Sequence, residues 1–198
     1  MESRIQVRFA TTNRGKLREI STLLAEFNVE VKGVEAEKLE IQGDEIARIA
    51  EFAASNLAER LGYPIAVEDS GLHVSALNGF PGPYSSYVYR SIGLNGVLKL
   101  LEGVEDRRAY FESVVAYAEP QGRVTSFRGV TWGRISKSAR GTGGFGFDPI
   151  FIPDDGDGRT FAEVSLQEKN RLSHRGKAVR SFGGWITSRK EMRAEMER

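Results

Sequence analysis

The sequence has no cysteine, only two histidines, His73 and His174, and no apolar run approaching the ~20 residues that a membrane-spanning helix needs. Without thiols there is no disulfide, no thiolate zinc site, no iron–sulfur cluster and no cysteine nucleophile. Carboxylates and the two imidazoles remain as metal ligands, a set that suits hard, oxygen-preferring ions. Residues 1–10, MESRIQVRFA, lack the apolar core of a signal peptide, so a cytoplasmic address is expected. An excess of one charge is also missing: 28 Lys and Arg stand against 27 Asp and Glu. Such a balance provides no global field for steering the chain onto nucleic acid or anionic lipid, and neither a membrane nor a stable nucleic-acid partner is expected. What is present, 198 residues with 40% hydrophobic and 28% charged, is the composition of a globular domain. It reads as one domain over residues 1–188 followed by a charged tail, 189–198, that frays.

Hydrophobic periodicity orders the elements. Ile5, Val7 and Phe9 alternate with Gln6 and Arg8 as in a strand, and Leu17, Ile20, Leu24 and Phe27 recur at helical spacing. An extended stretch at 29–34 leads through an acidic loop to a helix with Ile46, Ile49, Ala53, Leu57 and Leu61 as its buried stripe. Residues 65–67 read as a short buried strand, and residues 78–83, Asn-Gly-Phe-Pro-Gly-Pro, as a rigid turn outside regular structure. Helices over 84–92 and 94–101 precede a long hairpin of strands 109–118 and 124–135. A last helix starts near Ser173 or Gly176 and buries Ala178, Phe182 and Trp185. The alternation predicts an α/β fold with helices packed on a central sheet.

Five stretches could carry chemistry. Thr11-Thr12-Asn13-Arg14-Gly15-Lys16 lies between the first strand and the first helix, where free backbone amides face anions, although the spaced glycines of a Walker A loop are missing. Its bland alternative is a threonine helix cap and a solvated lysine. Glu68-Asp69-Ser70-Gly71 places two carboxylates at the expected end of the short strand, where at most one of them readily enters a given cleft. Upstream, Glu35, Glu37, Glu40, Asp44 and Glu45 face only Lys38, and one of these carboxylates could complete a magnesium site. Residues 141–149, Gly-Thr-Gly-Gly-Phe-Gly-Phe-Asp-Pro, interleave glycines with aromatics, as a loop does that lets backbone approach a planar ligand while a ring stacks on it. In residues 165–180, Lys169, Arg171, Arg175, Lys177 and Arg180 outweigh Glu168, and Ser165-Leu166-Gln167-Glu168 fits a capping box. Acidic and basic clusters in one small domain suit a metal-bound polyanion.

In this order, Thr11–Lys16, Glu68–Gly71, Pro81–Tyr84, Gly141–Pro149, Glu168–Asn170 and Ser173–Arg175 resemble the motifs of the inosine triphosphate pyrophosphatase, or Ham1, family, over roughly residues 5–186. The resemblance implies a two-lobed α/β protein with a long central mixed sheet, an interlobe cleft and a homodimeric assembly. It implies magnesium-dependent hydrolysis of ITP, dITP and XTP to the monophosphate and pyrophosphate. Residue by residue, it implies that Thr11, Thr12, Asn13, Arg14, Gly15 and Lys16 bind the triphosphate, and that Glu40 and Asp69 hold the ion. Asp69 would also accept the proton, while Ser70, Phe145, Gly146, Phe147, Asp148, Lys169, His174 and Arg175 bind the nucleotide. An acceptor oxygen at C6 of the base would suit the donors Lys169 and Arg175, whereas the amino group of adenine would not.

Overall fold

The computed structural model describes residues 4–39 and 41–196. In chain order the elements are β1 (Ile5–Ala10), α1 (Arg14–Ala25), β2 (Val29–Val34), α2 (Ile46–Leu61), β3 (Ile65–Val74), β4 (Pro81–Gly82), α3 (Ser85–Ser91), α4 (Gly93–Leu100), β5 (Arg108–Ala118), β6 (Val124–Ile135), β7 (Phe151–Pro153), α5 (Leu166–Leu172) and α6 (His174–Met196). Seven strands form one mixed sheet in the order β2-β1-β3-β5-β6-β7, with β4 paired to β3. β1 runs parallel to β2 and β3, whereas β5 is antiparallel to both β3 and β6. The expected α/β class, a central sheet flanked by helices, is what the chain adopts.

Apolar residues from both faces of the sheet close three clusters. Phe9, Ile20, Leu23, Leu24 and Phe182 join α1 and α6 to one face, while Ile46, Ala53 and Leu57 pack α2 on Val67 and Val114. Leu72, Val97, Phe111, Phe147, Phe151 and Phe161 fill the third, beneath α4 and the glycine-rich loop. Burial of this kind, at ~25 cal/mol per Å² of apolar surface, supplies most of the drive to fold.

Three expectations change. β3 does not end at Val67 but runs to Val74, because β5 pairs with it along its entire length, from Ile65↔Ala118 to Val74↔Ala109. Glu68 and Asp69 are therefore mid-strand residues with side chains on opposite faces. The turn at 78–83 contains a two-residue strand, since Pro81 and Gly82 pair with His73 and Leu72. Gly71 makes that approach possible: a Cβ there would lie 2.2 Å from the Gly82 carbonyl oxygen. Finally, α6 continues to Met196 through most of the charged stretch expected to fray. Arg189 helps carry it on, donating to Glu119 at 2.7 Å and lying 5.1 Å from the Trp185 ring centre.

Candidate active site

β1 stops at Ala10, and Asn13 caps α1 by accepting the Lys16 amide at 3.0 Å, so asparagine rather than threonine is the helix cap. Thr11 Oγ1 instead accepts the Asn13 amide at 3.1 Å, which tightens the loop. β1 and β3 are neighbours, with Ala10 opposite Val67, so this loop stands directly beside Glu68 and Asp69. A cleft of about 810 Å³ opens there, within the range of roughly 300–1,000 Å³ common to small-molecule sites. Thr11, Thr12, Asn13, Lys16, Asp69 and Ser70 border it on one side. Phe145, Gly146, Phe147, Asp148, His174 and Arg175 border it as well. Of the residues that the family resemblance assigns to the site, Arg14, Gly15 and Lys169 do not line the cleft, and Glu40 lies outside the described residues. Lys38, two residues before Glu40, and Ile41, the residue after it, do line it.

The alternation of β3 separates its two carboxylates. Asp69 faces the cleft, whereas Glu68 points into the protein and is only 2% exposed. Glu68 accepts from Ser113 Oγ at 2.6 Å and Arg175 Nε at 3.1 Å, and Lys16 Nζ lies 2.9 Å from its other oxygen. Burial pushes this carboxyl up, but Arg175, Lys16 and the Ser113 hydroxyl together hold it well below the usual carboxylate range. For Asp69 the balance tips the other way. Burial raises its pKa and Glu68 adds to the rise, which outweighs the pull of Lys16 and Lys38.

A second buried network lies behind the glycine-rich loop. Lys169 Nζ donates to Glu19 at 2.6 Å and Asp148 at 2.5 Å, and Arg175 Nη1 donates to the other oxygen of Glu19 at 2.6 Å. Arg175 Nη2 reaches Ser70 Oγ at 3.0 Å. Each guanidinium nitrogen thus has a partner, and burial, though it opposes charging, is outweighed by Glu68 and Glu19, which keep Arg175 protonated. Asp148 also accepts the Phe145 amide at 2.7 Å, in space that a side chain on Gly144 would fill. Lys169 Nζ and the Arg175 guanidinium lie 4.5 and 5.3 Å from the centre of the Phe145 ring, and Phe145 lines the cleft. Gly15 explains its own place here: a Cβ would lie 2.7 Å from the ring, so this glycine admits the aromatic instead of lining the cleft. His174 is 2% exposed, stacked on Phe111 at 4.5 Å, and kept neutral by burial and by Arg175 beside it.

Glu19 is the organising residue that the sequence reading missed. Its signal was a carboxylate on the buried stripe of α1, next to Ile20 and four residues before Leu23, where an unpaired charge would be costly.

Among the described residues no group of three or more His, Asp or Glu side chains could hold a metal by itself. The donors nonetheless fit magnesium, which commonly takes one or two carboxylates and completes its shell with water and substrate phosphates. Asp69 is a cleft-facing carboxylate whose only hydrogen bond among the described residues comes from the Ser70 amide, at 2.9 Å. Its raised proton affinity reflects a charge that its surroundings do not fully balance.

Comparison with known proteins places this geometry in context. A family model described as the Ham1 family matches residues 7–185. A protein named dITP/XTP pyrophosphatase from Pyrococcus horikoshii is 50% identical over 92% of this chain and 97% of its own. Its namesake from Methanopyrus kandleri is 51% identical over 91% and 96%. Among solved structures, a HAM1 protein from Coxiella burnetii superposes with a TM-score of 0.82 at 32% identity, covering 93% of this chain and 99% of that one. The Ham1 protein of Staphylococcus aureus gives 0.80 at 27% identity, with 93% and 99% covered.

Proposed function

The chain belongs to the Ham1 family, and on that premise we propose that it is a nucleoside triphosphate pyrophosphatase. It converts ITP, dITP and XTP to the monophosphate and pyrophosphate and so clears deaminated purines from the nucleotide pool. One observation carries the reading: the loop after β1, with Thr11, Thr12 and Lys16, and the carboxylate of Asp69 on β3 border the same cleft, which Phe145 also lines.

The triphosphate binds against the Thr12 amide, the hydroxyls of Thr11 and Thr12 and the ammonium of Lys16. The base stacks on Phe145, a ring that Lys169 and Arg175 approach within cation–π distance. Asp69, whose burial raises its affinity for a proton, orients water and accepts its proton as the phosphoanhydride is cleaved. Glu68 keeps Lys16 directed at this point and keeps Arg175 beneath Ser70. Asp69, with Glu40, would hold magnesium, which when bound neutralises charge on the phosphate oxygens and lowers the pKa of water. The functional assembly is a homodimer, a reading supported by the family resemblance.

The deciding experiment measures pyrophosphate release by the purified chain from a panel of ITP, dITP, XTP, ATP, GTP, CTP, UTP and dTTP. Release from the first three, lost on chelation and restored by magnesium, is expected. Preference for a pyrimidine triphosphate, release of orthophosphate, or turnover that survives chelation would refute the reading.

A further inference from the structure

A second concavity, of about 450 Å³, lies where α1, α5 and α6 meet. It shares no lining residue with the cleft, and its volume falls within the range of small-molecule sites. Thr22 and Glu26 of α1 border it, as do Asn170 and Arg171 of α5 and Arg180 of α6.

Local packing builds this groove. Successive helix residues are turned by about 100°, so Lys169 reaches Glu19 and Asp148 while Asn170 comes to the groove. Gly176 lets α6 start against α5, since a Cβ there would lie 1.9 Å from the Asn170 carbonyl oxygen. One turn on, Arg180 Nη1 donates to that same carbonyl at 3.1 Å, and its Nε stands 3.6 Å from Glu26.

Two polar side chains of the groove lack partners. Asn170 is 3% exposed, yet neither its amide oxygen nor its amide nitrogen is hydrogen-bonded among the described residues, an unusual state for a buried amide. The exposed side chain of Arg171, next to it, makes no hydrogen bond or ion pair among the described residues. An amide offers a donor and an acceptor side by side, the complement of a nucleobase edge, and a guanidinium fork matches phosphate oxygens.

We propose that the groove is a second nucleotide site, which takes a nucleoside monophosphate with the edge of its base on Asn170 and its phosphate on Arg171 and Arg180. Turned one way or the other, the amide matches the N1–C6 edge of a 6-oxopurine or of adenine, so the groove lacks the base preference expected of the cleft. A monophosphate suits it better than a triphosphate, because Glu26 and Glu168 also border the groove and repel further negative charge. Both amide atoms are shielded from solvent, so binding requires side chains of the groove to part. The 3.6 Å contact between Arg180 and Glu26, longer than a hydrogen bond, is the one placed to open.

Titration of isotopically labelled protein with AMP, followed by NMR, tests this, because Arg175, a donor only, gives the cleft no partner for the adenine amino group. The backbone amides of Thr22 and Arg171 and the side-chain amide of Asn170 should shift saturably, before those of Asp69 and Phe145 respond. Arg171→Ala, at an exposed position, should weaken AMP binding by about tenfold or more, the value of a lost charged contact. Asn170→Asp, which replaces the donor end with a second carboxylate oxygen, should weaken it as well. Adenosine and inorganic phosphate should each bind more weakly than AMP, since each makes only part of its contacts. Arg123→Ala, in the turn between β5 and β6, controls for net charge and should change nothing. Groove resonances that stay unmoved at millimolar AMP, equal affinity in the wild type and Arg171→Ala, or phosphate that binds as tightly as AMP would overturn the assignment. The outcome is independent of the pyrophosphatase reading, which release of pyrophosphate from ITP judges separately.

Discussion

At the scale of single residues, Asp69 and Glu68 show how one peptide step separates chemistry from support. Adjacent strand positions face opposite sides of a sheet, so the same pair of carboxylates yields one group open to substrate and one locked among Lys16, Ser113 and Arg175. Asp69→Asn removes the proton acceptor and should lower kcat by ~10²–10⁴-fold, measured as pyrophosphate release from saturating ITP. Because burial already disfavours the ionised form of Asp69, the neutral isostere should not lower thermal stability. A large drop in Tm, or near wild-type kcat, would show that Asp69 serves the fold instead. The carboxylate pair was legible in the sequence as chemistry-bearing. Which member faces the cleft came only from the family resemblance, which named Asp69; the local pattern could not supply it, since it depends on β5 extending β3 past Val67 and on where the helices cover the sheet.

Elements place these side chains through contacts that leave no room for a methyl group. Gly71 is the clearest case, since a side chain there would collide with the Gly82 carbonyl and separate β4 from β3. That pairing also seats Ser85, whose hydroxyl donates to the Gly82 carbonyl, and with it the start of α3, which borders the cleft. Gly71→Ala should cost ~1–3 kcal/mol by overpacking, read as a shifted urea midpoint. It should also raise KM for ITP through displacement of α3. Unchanged stability and KM would mean that the α3 wall is held independently of β4. The helices themselves were largely readable. The apolar stripe of α2 and the capping box of α5 are local patterns, and the cap at Ser165 forms as the spacing implies, with Glu168 returning to the Ser165 amide at 3.0 Å. The two-residue β4 was not readable, because a proline-glycine pair becomes a strand only when a partner strand offers a glycine at the crossing.

For the molecule as a whole, the buried charges make stability depend on pH in a sense that can be worked out. His174 has a folded pKa well below 6.5, owing to burial and then to Arg175, with Lys169 and Lys16 adding repulsion and Glu68 opposing it. Below about pH 6.5 the unfolded chain takes a proton that the folded chain refuses, so this contribution is complete above that pH and is lost as pH falls. Between pH 7.5 and 5.5 the slope from one such site approaches ~1.4 kcal/mol per pH unit at its steepest. His174→Asn should flatten the profile of unfolding free energy over this interval relative to wild type, a comparison in which the other titrating groups cancel. Parallel profiles would show that His174 ionises in the folded protein. The sequence by itself determined the class of fold, the order of helices and strands, and the motifs that mark the family, because periodicity, caps and turn residues act over a few neighbours. Only the tertiary structure decided that Glu19 joins Lys169 to Arg175 across some 150 residues of chain, and that Gly15 makes room for Phe145. Those outcomes depend on which distant side chains share one small volume, where each buried charge must find its counterpart and each ring its space.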